Sequence, residues 1–97
     1  MNQVIIHTKE GCQFCDKSKA FFIDHGIPYT EIYYNSNEPD YEERKNALLQ
    51  RTNHKTFPQI FIGDTFLGGH SDLEGSYQTL RLHDLLREIG IILDYEF

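Results

Sequence analysis

The stretch that most constrains this chain is Cys12-Gln13-Phe14-Cys15, which holds its only two cysteines. It follows an apolar run, Val4-Ile5-Ile6, and precedes a helix-like run from Asp16 to His25. A C-x-x-C therefore stands where a strand hands over to a helix. At a helix start the unpaired backbone N–H groups and the positive end of the dipole favour a thiolate. The second cysteine lies one turn inside, where it can attack a mixed disulfide formed on the first. Structural zinc needs four ligands, commonly a second such pair or closely spaced histidines. No second pair is present, and His7, His25, His54, His70 and His83 show no H-x3-5-H spacing. Spacing and context favour a redox dithiol, with a metal site or two incidental thiols as the other readings.

The rest of the composition narrows the setting. A chain of 97 residues makes one small domain, residues 1–97, with a single core. Net charge is −6 and there is no basic cluster, so binding to nucleic acid or an anionic membrane is not expected. No apolar run reaches 18 residues, and the start moves straight into a strand without a signal-peptide pattern. The expectation is a soluble, cytoplasmic protein. In a reducing compartment a C-x-x-C is catalytic or metal-binding rather than a staple.

Periodicity places eight elements. Gln3 to His7 reads as a central strand, with Thr8 to Gly11 as the turn that delivers Cys12. Phe14 to His25 reads as a helix with Phe14, Ser18, Phe21 and Phe22 on one stripe, stopped by Gly26 and Pro28. Tyr29 to Tyr34 is a strand by its aromatic and β-branched residues. Tyr41 to Gln50 is a helix, N-capped by Asp40, with a thin apolar side of Tyr41, Ala47 and Leu48. Gln59 to Ile62 and Thr65 to Leu67 form a hairpin across Gly63-Asp64. A short helix starts at Ser71 or Asp72 and runs to about Gln78, and a last one carries Leu82, Leu85, Leu86 and Ile89 up to Gly90. Residues 91–97 form an apolar-acidic tail that the pattern leaves unassigned. The order is β-α-β-α-β-β-α-α. A right-handed βαβ unit followed by a hairpin predicts a four-stranded mixed α/β sheet with helices on both faces.

Four ordered segments resemble the glutaredoxin family. Thr8-Lys9-Glu10-Gly11-Cys12-Gln13-Phe14-Cys15 is similar to its active-site segment, and Gly26-Ile27-Pro28-Tyr29 to its entry into the second strand. Thr56-Phe57-Pro58-Gln59-Ile60-Phe61-Ile62 resembles its T-V-P-x-I-F-I segment, and Gly68-Gly69-His70-Ser71-Asp72-Leu73 its G-G-x-x-D-L segment. Motifs in matching order are far more specific than the cysteine pair alone. The resemblance implies a thioredoxin-like fold and glutathione-coupled exchange of protein disulfides and glutathione mixed disulfides.

It also implies roles. Cys12 would be the nucleophile and Cys15 the resolving thiol. Lys9 would favour the thiolate or pair with a glutathione carboxylate. Pro58 would be cis, against a background of about 5–6 % of X–Pro bonds, and the Phe57 backbone beside it would pair with glutathione like an added strand. Thr56 belongs to the same segment. Gly69, Ser71 and Asp72 would take the γ-glutamyl end: N–H groups at a helix start for its carboxylate, and Asp72 for its ammonium. The bland reading of Ser71 or Asp72 is an N-cap. Lys45 would reach the glycyl carboxylate, with Arg44 and Lys55 as neighbours.

Departures from the family pattern qualify this. Gln13-Phe14 stands where the dithiol members commonly have Pro-Tyr, and in this family loss of that proline is associated with glutathione-ligated [2Fe–2S] binding between two protomers. Glu10 and Asp16 would oppose a thiolate if turned inward. Phe57 replaces a smaller aliphatic residue. His70 reads first as a surface histidine. The expected function is thus a monomeric dithiol glutaredoxin acting on disulfide-containing proteins, ribonucleotide reductase among the family's substrates. The alternatives are a cluster carrier ligating through Cys12 and a redoxin reduced by thioredoxin reductase.

Overall fold

Val4, Ile5 and Ile6 begin a strand that continues to Lys9, two residues beyond the expected end. In the computed structural model, which describes residues 2–94, β1 is Val4–Lys9, α1 Gln13–Asp24, β2 Thr30–Tyr34 and α2 Tyr41–Thr52. Then come β3 Gln59–Ile62, β4 Thr65–Gly68, α3 His70–Gln78 and α4 Arg81–Glu88. The extension of β1 is explained by its neighbour. Thr8 and Lys9 pair in parallel register with Tyr33 and Tyr34. The Thr8 hydroxyl donates to the Glu31 carboxylate at 2.6 Å, so a polar residue is buried with its partner supplied.

The sheet order is β2-β1-β3-β4. β1 and β2 run parallel, as the crossover rule requires. β3 is antiparallel to β1, from Val4 opposite Ile62 to His7 opposite Gln59. The hairpin to β4 closes with Ile62 opposite Thr65 and carries a bulge at Ile60/Phe61. Gly63, at φ 60°, supplies the left-handed turn.

Alternation along β1 divides the interior into two layers. Val4 and Ile6 face Phe22 of α1, Leu73 of α3, and Leu82 and Leu86 of α4, all fully buried. Ile5 belongs to the opposite face, where Leu48 of α2 packs with Tyr34 and Phe61. That second layer is thin, as the sparse apolar side of α2 predicts. The four-stranded mixed sheet with helices on both faces is as expected.

Three local expectations differ. Phe14 is not part of the core stripe: it is 54 % exposed, because it lies in the first turn of α1, over the groove described below. α3 starts at His70 with Gly69 as its N-cap, ahead of Ser71. Of the tail, Leu93 is buried in the main core and Ile91 packs beside it, while Ile92 is exposed. Residues 95–97 of the expected tail lie outside the described residues.

Candidate active site

The end of β1 delivers Cys12 to the start of α1. Cys12 is the N-cap, with extended backbone (φ −104°, ψ 100°), and its Sγ accepts the Cys15 N–H at 3.1 Å. That bond meets one of the unpaired donors of the helix start. The two cysteines form a disulfide with a Cα–Cα distance of 5.2 Å, inside the usual range. They differ in access. Cys15 is 1 % exposed, whereas Cys12 is half-buried and borders a shallow cleft with Lys9, Glu10 and Tyr33. Cys15 borders the same cleft, but with almost none of its surface exposed it is far less open to a second molecule than Cys12.

The charges around the pair are mostly committed to other partners. Glu10 accepts the Ser36 N–H at 2.9 Å. Hydrogen bonds from Ser36, more than the charge of Lys9, hold its carboxyl below the usual range. Lys19 donates to Glu31 at 3.0 Å and lies 3.8 Å from Asp16. The Thr8 hydroxyl, with Lys19 behind it, pulls the Glu31 carboxyl down. Lys9 makes no ion pair with a described residue; its Nζ stands 5.7 Å from the centre of the Phe57 ring. It borders the cleft beside Cys12 and is left for a thiolate or a ligand, as is Lys17, whose Nζ stands 5.1 Å from the centre of the Phe14 ring.

A second cavity, of about 280 Å³, lies beyond Phe14. Thr56, Phe57 and Pro58 line it together with Gly69, Ser71 and Asp72. The Phe57–Pro58 peptide bond is cis. Asp72 is at the third position of α3, and its carboxylate accepts the Gly69 N–H at 2.9 Å. It is therefore not the N-cap but the residue that reaches back to it. Gly68, at φ 124°, is required here: a Cβ would fall within 2.6 Å of Asp72 Cγ.

The expected surface histidine is corrected. His70 has a side chain only 11 % exposed, because its Nδ1 is 2.8 Å from the Ser18 hydroxyl and its ring lies 6.0 Å from that of Phe14. It lines the groove, as does His54, whose Nε2 is 3.2 Å from the Thr56 hydroxyl. No motif marks His54, and Phe14 looks like core by period, so sequence reasoning missed both. Lys45 is the one expected site residue that borders neither cavity. Its Nζ is 3.3 Å from Glu42 and 5.1 Å from the centre of the Tyr41 ring.

Two sulfurs one helical turn apart, one accessible and one shielded, pass electron pairs between disulfides. On a mixed four-stranded sheet flanked by helices, that chemistry defines a thiol–disulfide oxidoreductase of the thioredoxin-like class. The chain belongs to the glutaredoxin family: the family model described as Glutaredoxin matches residues 4–67. It is 32 % identical over 91 residues to a glutaredoxin of Vernicia fordii, covering 94 % of this chain and 86 % of that one. It is 36 % identical over 73 residues to glutaredoxin 3 of Escherichia coli (strain K12), covering 75 % and 83 %. Among solved structures, a buckwheat glutaredoxin in complex with glutathione superposes with a TM-score of 0.83 at 30 % identity, over 93 % of this chain and 81 % of that one. A glutaredoxin from Brucella melitensis gives 0.74 at 36 % identity, over 93 % and 94 %.

Proposed function

We propose that glutathione is the electron donor and that the chain reduces protein disulfides and glutathione mixed disulfides through Cys12. The observation that carries this is the start of α3. There, the first-turn N–H groups of α3 lie beside the Asp72 carboxylate, one of whose oxygens accepts the Gly69 N–H. Donors and an acceptor so placed match an α-amino-acid end, carboxylate with ammonium, which is what the γ-glutamyl end of glutathione presents. The glutathione complex of the buckwheat relative supports the same reading. The Phe57 backbone and Thr56 would take the middle of the tripeptide, and Lys9 a terminal carboxylate. Lys45 would need to leave Glu42 to join them.

The steps balance as simple exchange. The Cys12 thiolate attacks a disulfide sulfur, a Cys12 mixed disulfide forms, and the departing thiolate takes a proton. When Cys12 carries glutathione, a second glutathione thiolate attacks it, releasing glutathione disulfide and restoring Cys12. When Cys12 carries a protein, Cys15 attacks Cys12 Sγ, frees the reduced protein and closes the disulfide seen here; two glutathiones then reopen it. A monomeric cytoplasmic enzyme with ribonucleotide reductase among its substrates fits this scheme.

The cluster-carrier reading has less support. A [2Fe–2S] cluster takes four ligands. One copy of this chain offers Cys12 alone, since Cys15 is buried. With one glutathione thiol per copy, two copies would supply the four ligands, and among the described residues only Gln13 in place of proline favours that arrangement. Brown colour on anaerobic purification would argue for it.

The test is turnover of a glutathionylated disulfide with glutathione and glutathione reductase. Wild type and Cys15→Ser should turn over, and Cys12→Ser should be inactive. A wild type inactive with glutathione but active with thioredoxin reductase would overturn the proposal.

A further inference from the structure

On the α2 face of the sheet, two guanidinium groups bracket three aromatic rings. Arg44 Cζ lies 4.4 Å from the centre of the Tyr34 ring, and Arg51 Cζ 4.6 Å from that of Phe61. Between those rings stands His7, at 5.7 and 5.5 Å. With Ala47 and Leu48, the residues His7, Tyr34, Arg44 and Arg51 line a cavity of about 250 Å³. None of these residues borders the cysteine cleft or the groove beside it.

The charges in this cavity are not neutralised. Neither Arg44 nor Arg51 forms an ion pair with a described residue, as is also true of Lys9, Lys17, Lys55 and Arg81; what sets the two arginines apart is that they line one cavity together. His7 is 6 % exposed and uses Nδ1 with the Tyr34 hydroxyl at 2.8 Å. No described residue bonds its Nε2. The tautomer in which Tyr34 donates to Nδ1 leaves Nε2–H as a further donor. Burial, then the charges of Arg51 and Arg44, lowers the His7 pKa to about 4, in keeping with a positive field inside the cavity.

We propose that this cavity binds a small molecule carrying two oxyanion groups, carboxylate or phosphate, one on Arg44 and one on Arg51, with His7 and Tyr34 between them. Seven residues separate the arginines, two turns and about 10 Å along one helix face. Anchored that far apart on α2, each guanidinium offers a fork suited to its own oxyanion.

The experiment is an amide NMR titration of the oxidised full chain at ionic strength held constant with sodium chloride. The probes are adipate, fructose 1,6-bisphosphate and inorganic phosphate. Expected are saturable shifts at His7, Tyr34, Arg44 and Arg51 with adipate or the bisphosphate, at least tenfold tighter than with inorganic phosphate; which of the two binds identifies carboxylate or phosphate. Arg44→Gln and Arg51→Gln should each weaken binding at least tenfold, and Arg81→Gln should leave it within twofold. Arg51 is exposed and Arg44 half-buried, and the remaining amides report whether each variant is folded. Absence of saturable shifts, shifts that survive both arginine changes, or shifts confined to Gly69–Asp72 would overturn the proposal. So would inorganic phosphate binding as tightly as the dianions.

Discussion

At the scale of single residues the chemistry rests on differences between near neighbours. Cys12 and Cys15 share one turn of α1, yet Cys12 is half-buried and open to the cleft while Cys15 keeps almost no exposed surface. Asp72 has two tasks, which substitution separates. Asn keeps an oxygen for the Gly69 N–H but loses the charge that would hold an ammonium. Asp72→Asn should raise the KM for glutathione about tenfold, the worth of one charge-assisted hydrogen bond near the surface, with kcat little changed. Its urea midpoint should stay near wild type. Asp72→Ala should show the same kinetic loss and also lose about 0.5–1.5 kcal/mol of stability with the hydrogen bond from the Gly69 N–H. Gly68→Ala places a methyl against the Asp72 carboxylate at a backbone φ of 124°. It should cost about 1–3 kcal/mol in urea denaturation, and a variant as stable as wild type would show that the loop rearranges freely.

At the scale of elements, β1 connects both layers. Its inward positions Val4 and Ile6 meet α4, where Leu86 is fully buried. Leu86→Ala should lower stability by about 2–5 kcal/mol without changing the denaturant slope. On the other face β1 carries His7, whose pKa is lowered from 6.5 to about 4, first by burial and then by Arg51 and Arg44. Such a histidine supports the fold only while neutral. As pH falls the unfolded chain takes up the proton first, so stability is full above about 6.5 and declines toward about 4. Between pH 7 and pH 5 the loss should be about 2 kcal/mol. In His7→Phe that acid-side decline should shrink by this amount, whatever the variant's absolute stability. Glu31, whose carboxyl is held below its usual value of 4.5, gives up its contribution only at lower pH, and the comparison with His7→Phe assigns the remaining difference to His7.

At the scale of the whole molecule, the element order and mixed sheet were readable because strand and helix periods differ and the cysteine motif marks one junction between them. What escaped was set by tertiary partners. Thr8 and Lys9 look like a turn until β2 pairs with them. Phe14 keeps helical spacing with the core but stands in the first turn, beyond it. His70 looks like surface until Ser18 of α1 is placed against it. His54 has no sequence signal, since only folding brings it to Thr56. Lys45 was assigned by resemblance alone and borders neither cavity. The central claim is that Cys12 carries glutathione while Cys15 resolves. Mass spectrometry of Cys15→Ser after treatment with oxidised glutathione tests this most directly. A single glutathione adduct mapped to Cys12, and little or none on Cys15 in the Cys12→Ser protein, is the predicted result. No adduct on Cys12, or equal modification of Cys15 when Cys12 is absent, would contradict it.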